Sequence, residues 1–88
     1  MSISNFNKEI EMILKHTLVP LLQIIEGELT QHGYISKETI DHYKDQLQSA
    51  LTYLAPFLPY VKGILSSEFP QLVSVLDFII AALSDKKE

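Results

Sequence analysis

QLQSALTYLAPFLPYVKGILSSEFPQLVSVLDFIIAALS, residues 46–84, is the stretch that decides the fold of this 88-residue chain. It contains 23 apolar residues and only three charged ones, Lys62, Glu68 and Asp77. Residues 1–45, by contrast, carry four lysines and seven acids. Because so few charges solvate the second half, we expect it to be buried against the first half, another copy of the chain, a partner or a lipid surface.

The apolar residues recur at steps of three and four, which is the spacing of one face of a helix. From Ile40 to Ile64 this spacing continues without a slip, although Pro56 and Pro59 lie within it. We therefore expect the prolines to break the chain into two helices that share one core wall. No segment shows the strict alternation of polar and apolar residues that is typical of a strand.

The first segment contains a change of helical phase. One face of this segment is polar as far as Lys15. From Gln23 onward, the polar residues lie one position further around the helix. Pro20 lies between these positions, and proline removes the hydrogen bond to the carbonyl of His16. The sequence therefore predicts a kink at Pro20.

Helix ends are also visible in the sequence. Gly33 suits the left-handed residue that follows a helix, and Ser36 is a good N-cap for the next one. Ser4 or Asn5 is expected to cap the first helix, and Ser66 or Ser67 the last one.

These observations predict an all-α fold in a single domain, residues 1–88. We expect a compact bundle of about four helices, with a first helix kinked at Pro20, a proline break near residues 55–59 and a frayed, charged tail at 85–88. The expected helices span residues 4–32, 37–55, 57–66 and 68–84.

The composition argues against several functions. The chain has no cysteine, so it has no disulfide and no thiolate metal site. All seven of its basic residues are lysine, and its net charge is −4. Without arginine forks or a basic field, we expect no binding to nucleic acid.

Few residues point to catalysis or metal binding. Glu38, His42 and Asp45 share a helix face at metal-ligand spacing, but no further ligand supports them, so we interpret them as a solvated face. Asp77 is either desolvated among apolar neighbours or part of a solvent-facing stripe, and we favour the second interpretation. No nucleophile motif or phosphate-binding loop is present. We expect a protein that is not an enzyme and has no metal or cofactor.

The breadth of the apolar surface predicts interaction as the function. The segment 71–84 is apolar over most of its circumference, with Leu72, Val73, Leu76, Ile80 and Leu83 as the expected core face. A second apolar face should then be exposed in the monomer and form a homodimer or another protein interface. The predicted interaction residues are Leu51, Leu58, Val75, Ile79 and Ala82.

Two alternatives remain open. The first is an acidic immunity- or inhibitor-type protein that binds a basic effector through an acidic patch. The expected patch consists of Glu26, Glu28, Glu38, Asp41 and Asp45.

The second alternative is a membrane-interacting protein. Its proline-containing apolar hairpin resembles saposin-like and leaderless bacteriocin architectures in outline only, because the cysteines of the first and the basic charge of the second are missing. Helices of about 15 residues reach about 22 Å, short of the ~30 Å hydrocarbon core. With neither a signal peptide nor a membrane span evident, we expect a cytoplasmic protein.

Overall fold

A computed structural model describes residues 3–84 of the chain, and the side chains of residues 7–84. Within this range the chain forms three helices and no strand, which confirms the all-α class. The first helix contains a π-helical turn and the second contains a 3₁₀ turn. The first helix consists of Ile3–Ile13, the π turn Leu14–Leu18 and Val19–His32. The second helix consists of Lys37–Leu54, the 3₁₀ turn Ala55–Phe57 and Leu58–Glu68, and the third helix is Gln71–Ser84.

The prediction of about four helices is wrong. Pro56 and Pro59 do not separate two helices, because the chain passes through the 3₁₀ turn and continues as a helix to Glu68. The 3₁₀ turn holds the two prolines near helix starts, where a missing N–H costs little. As a result the apolar residues keep their helical spacing across the turn, and Leu54 and Val61 on either side of it are both buried.

The first helix accommodates Pro20 through a π turn, and the structure does not show the predicted kink. The N–H of Val19 donates to the carbonyl of Leu14, a bond from residue i to i+5 in place of i+4. A π turn adds one residue to the helix. That extra residue explains why the polar stripe ending at Lys15 resumes one step around from Gln23. Pro20 itself lies in the first turn of the α-helical segment that follows.

The connection between the first two helices forms as predicted. Gly33 has φ +81°, and its N–H donates to the carbonyl of Leu29 at 2.8 Å. This left-handed conformation favours glycine and ends the helix. Ser36 is the N-cap of the second helix, because its hydroxyl accepts a hydrogen bond from the N–H of Thr39 at 3.1 Å. The Glu28 carboxylate accepts a hydrogen bond from the N–H of Ser36 at 3.3 Å and so joins the two helices.

Predictions for the other helix ends have different outcomes. Ser66 and Ser67 do not cap the last helix, since both lie inside the second helix, which ends at Glu68. The third helix starts at Gln71, after a connection of only two residues. The cap predicted at Ser4 or Asn5 lies outside the described side chains, and the tail predicted at 85–88 lies outside the described residues.

One apolar core joins the three helices, and within the described range it contains no polar or charged side chain. Every helix contributes to it at steps of three or four residues, as amphipathic helices do. The buried residues are Ile10, Leu14, Leu18, Val19, Leu21, Leu22 and Ile25 of the first helix, Ile40, Leu47, Ala50, Leu54, Val61 and Leu65 of the second, and Leu72, Val75, Leu76 and Ile79 of the third.

Candidate interaction surface

An apolar groove lies between the second and third helices. Its volume is about 250 Å³, and none of the side chains that line it is charged. We call it the C-terminal groove because it includes Leu83 and Ser84 at the end of the third helix. The remaining lining residues are Gln48, Leu51, Thr52, Ala55, Leu58 and Ile80.

The structure places two of the predicted interaction residues in this groove. Leu51 and Leu58 line it and are half-buried, as residues with remaining apolar surface should be. Ala82 is also half-buried, but it lines the neighbouring groove described below.

The prediction that Val75 and Ile79 are exposed in the monomer is wrong. Their side chains are 2% and 0% exposed, and both belong to the core. The third helix packs with Leu72, Val75, Leu76 and Ile79 inward, a regular i, i+3, i+4, i+7 face. Several residues that the sequence assigned to the core, Val73, Ile80 and Leu83, are only half-buried in consequence.

Phe78 lies on the third helix and is not among the lining residues of the C-terminal groove. Its side chain is 46% exposed, a large fraction for a phenylalanine on a predominantly apolar helix. Together with Ala82 and Leu83 it lines a second groove of about 470 Å³. The opposite wall of this groove comes from the second helix and carries the charged residues Lys37, Asp41 and Lys44. Leu83 lines both grooves, so the groove that Phe78 lines adjoins the C-terminal groove at this residue.

The predicted acidic patch is divided among separate surroundings. Glu28 takes part in the cap of the second helix, and Asp41 forms a salt bridge with Lys37 at 3.3 Å. Asp45 lines a groove on another side of the second helix. Glu26 is half-buried and Glu38 is exposed. Two of the five acids, Glu28 and Asp41, are therefore engaged within the chain, and Asp45 lines a groove that none of the other four lines.

Hydrogen bonding shifts the titration of one of these acids. A bond from the Thr39 hydroxyl is the largest cause of a lowered pKa for the Glu28 carboxyl. Hydrogen bonds from the Ser36 N–H and hydroxyl, and the charge of His32, lower this pKa further. The carboxylate form of Glu28 is therefore the form that accepts the hydrogen bonds between the first and second helices.

A third groove lies between the π turn of the first helix and the second helix. It has a volume of about 460 Å³, and we call it the Tyr53 groove. The Tyr53 hydroxyl donates to Glu9 of the first helix at 3.3 Å. Partial burial, followed by the charge of Glu9 and this hydrogen bond, raises the pKa of the Tyr53 phenol. The lining residues are Ile13, Thr17, Asp45, Gln46, Ser49, Ala50 and Tyr53.

The polar residues singled out in the sequence are mostly solvated. Glu38, His42 and Asp45 are all exposed, and among the described residues no group of three His, Asp or Glu side chains could hold a metal ion. Asp77 is exposed as we favoured, and it forms a 2.9 Å salt bridge with Lys62 across the second and third helices.

Comparison with known proteins identifies no relative. The sequence matches no protein-family model, and neither a curated protein nor a solved structure shows significant similarity to the chain. From residue 3 to residue 84, no helix combines the length and the apolar composition that crossing a membrane requires.

Proposed function

We propose that this chain is a small, non-enzymatic interaction protein that self-associates through the C-terminal groove and Phe78. The observation that carries this proposal is the exposed Phe78 ring, in a groove that shares Leu83 with the uncharged C-terminal groove. Exposed aromatic rings and uncharged apolar grooves are typical of the centre of a protein interface.

A second copy of the chain is the occupant that best fits this surface. Each copy offers both a groove and a projecting aromatic ring, so a two-fold axis would place each Phe78 against the partner copy. The groove provides no charge that would select a basic or acidic partner. Aromatic anchors in apolar surroundings are also the residues that dominate interface energetics.

The two alternatives receive less support. A basic effector would need a concentrated acidic patch, whereas Glu28 and Asp41 are already engaged within the chain. A lipid surface would be opposed by the net charge of −4, which anionic headgroups repel.

The size of the expected effect follows from the exposure of Phe78. Covering the exposed 46% of two rings removes about 180 Å² from water, given ~200 Å² for a phenylalanine. At ~25 cal/mol/Å² this contributes roughly 4.5 kcal/mol to dimerisation. Phe78→Glu adds the cost of desolvating a charge, so we expect it to weaken the dimer at least about 100-fold.

Sedimentation equilibrium of the full chain at micromolar concentration tests the proposal. We expect a mass near twice the 10.0 kDa of the monomer. Phe78→Glu should shift the population to monomer while circular dichroism still shows a helical protein. Met12→Glu is the matched control, because Met12 is 60% exposed on the first helix, outside both grooves, and should leave the dimer intact.

Three outcomes would overturn the proposal. One is a wild-type chain that is monomeric at roughly 100 μM. At this concentration, an association free energy of about −6 kcal/mol would already give dimer. Another is a dimer that Met12→Glu weakens as much as Phe78→Glu does. The third is a wild-type chain that stays monomeric but floats with liposomes at pH 7 or pH 5, which would assign the apolar surface to lipid.

A further inference from the structure

The Tyr53 groove differs from the apolar surface of the proposed dimer. It lies between the first and second helices, and it shares no lining residue with the C-terminal groove. Small side chains, Thr17, Ser49 and Ala50, leave room there between the two helices. Thr17 belongs to the π turn, and π turns are frequent at functional sites.

The one charged side chain that lines this groove is acidic. Asp45 lines it, and within residues 7–84 Asp45 takes part in no salt bridge. Glu9 adds a second carboxylate through its hydrogen bond with the Tyr53 hydroxyl. No lysine or histidine is among the lining residues, unlike the groove beside Phe78, which contains two lysines. Complementarity therefore favours a positively charged ligand.

The walls of the groove favour an apolar body on that ligand. The Tyr53 side chain is 43% exposed, and its ring forms one wall. An aromatic ring attracts a cation over its face and also packs against hydrocarbon. Ile13 and Ala50 contribute further apolar surface. The volume of about 460 Å³ is within the range of small-molecule sites.

We propose that the Tyr53 groove binds a small organic cation, a protonated amine on an aromatic or aliphatic body. In this arrangement the ammonium group lies near Asp45 and the Glu9–Tyr53 pair, while the body packs against the Tyr53 ring and Ile13. Partial burial is the largest cause of the raised pKa of the Tyr53 phenol, and the negative charge of Glu9 raises this pKa further.

Titration of the labelled full-length protein with three indole probes, followed by amide NMR, tests the charge requirement. Tryptamine carries an ammonium group, tryptophol is neutral and indole-3-acetate is negatively charged. We expect tryptamine to shift the amide signals of Thr17, Ser49 and Tyr53 at millimolar concentration, and the neutral and negative probes to bind at least about tenfold more weakly.

Matched variants assign the site. Asp45→Asn should weaken tryptamine binding about tenfold, whereas Asp41→Asn, one turn earlier on the same helix, should have little effect. Tyr53→Leu should weaken it about threefold through loss of the ring. Tyr60→Leu is the control, because Tyr60 also donates to a glutamate, Glu11, but does not line the groove.

The proposal would be overturned if the three probes bound equally, or if tryptamine shifted no groove amide at millimolar concentration. Equal binding by the Asp45→Asn and wild-type proteins would likewise overturn it, provided that their amide spectra show the same fold. Because Asp41 and Asp45 are both exposed, we expect the Asp41→Asn and Asp45→Asn variants to fold.

Discussion

The N-cap of the second helix provides a stringent test of the fold. The side chain of Ser36 caps this helix, because its hydroxyl accepts a hydrogen bond from the Thr39 N–H at 3.1 Å. The same hydroxyl contacts the Thr39 hydroxyl at 2.9 Å. Ser36→Ala removes both contacts and leaves the Ser36 N–H bond to Glu28 in place.

The expected loss of stability can be estimated from this geometry. Replacing a serine N-cap by alanine costs typically about 1 kcal/mol. At about 2.1 cal/mol/K per residue, a chain of 88 residues has an unfolding entropy of roughly 0.18 kcal/mol/K. Ser36→Ala should therefore lower Tm by about 5 °C. The pKa of Glu28 should also rise toward its ordinary value, because the Ser36 hydroxyl helps to lower it.

Thermal unfolding followed by circular dichroism, at one fixed protein concentration, measures this effect. Ser36→Asn is the matched control, because asparagine caps a helix about as well as serine and should stay within a few tenths of a kcal/mol of wild type. Ser74→Ala controls for the loss of an exposed serine hydroxyl within a helix. If Ser36→Asn destabilised the protein as much as Ser36→Ala, the cap could not be the cause.

Two further predictions concern pH and the core. Because the pKa of Glu28 is lowered in the folded state, its contribution to stability is present above the ordinary value of 4.5 and is lost as the pH falls through the folded value. Glu28→Gln should therefore flatten the loss of stability in acid, measured by urea unfolding from pH 6 down to about pH 3; an unchanged slope would contradict this. Leu54 is fully buried beside the 3₁₀ turn, so Leu54→Ala should cost about 2–5 kcal/mol in the same assay, whereas the partly exposed Leu29→Ala should cost clearly less.

Local patterns in the sequence predicted local structure well. Gly33 and Ser36 were identifiable because a left-handed residue and an N-cap each require a particular type of residue at one position. The solvent-facing position of Asp77 followed from the narrow polar stripe of its helix. In each case the physical cause lies within one or two turns of the chain.

Features that depend on neighbouring helices were harder to predict. Val75 and Ile79 belong to one of two apolar faces of the third helix, and only the position of the first two helices determines which face becomes the core. The phase change before Pro20 was visible in the sequence, but a kink and a π turn both explain it. Likewise, Pro56 and Pro59 fit either a break between helices or a 3₁₀ turn within one helix.

The Tyr53 groove shows the same limit. Asp45 was predicted as part of an acidic patch, and Tyr53 lies about two turns further along the same helix. Nothing in their spacing indicated that the π turn would lie opposite them. A clue did exist in the small residues Ser49 and Ala50 beside Tyr53, which leave space on one side of an otherwise bulky helix.

The π turn also determines where the first helix tolerates a change of length. Elsewhere in a helix, losing one residue rotates everything downstream by about 100° and turns the core face away. Within Leu14–Leu18, the loss would convert the wide turn into an ordinary one, and Leu14, Leu18, Leu22 and Ile25 would still follow one another on the same face. Proline at position 20 would then sit in a regular helix, where it costs ~3 kcal/mol. The extra residue and the proline therefore constrain each other, and an evolutionary step that removed one would favour replacement of the other.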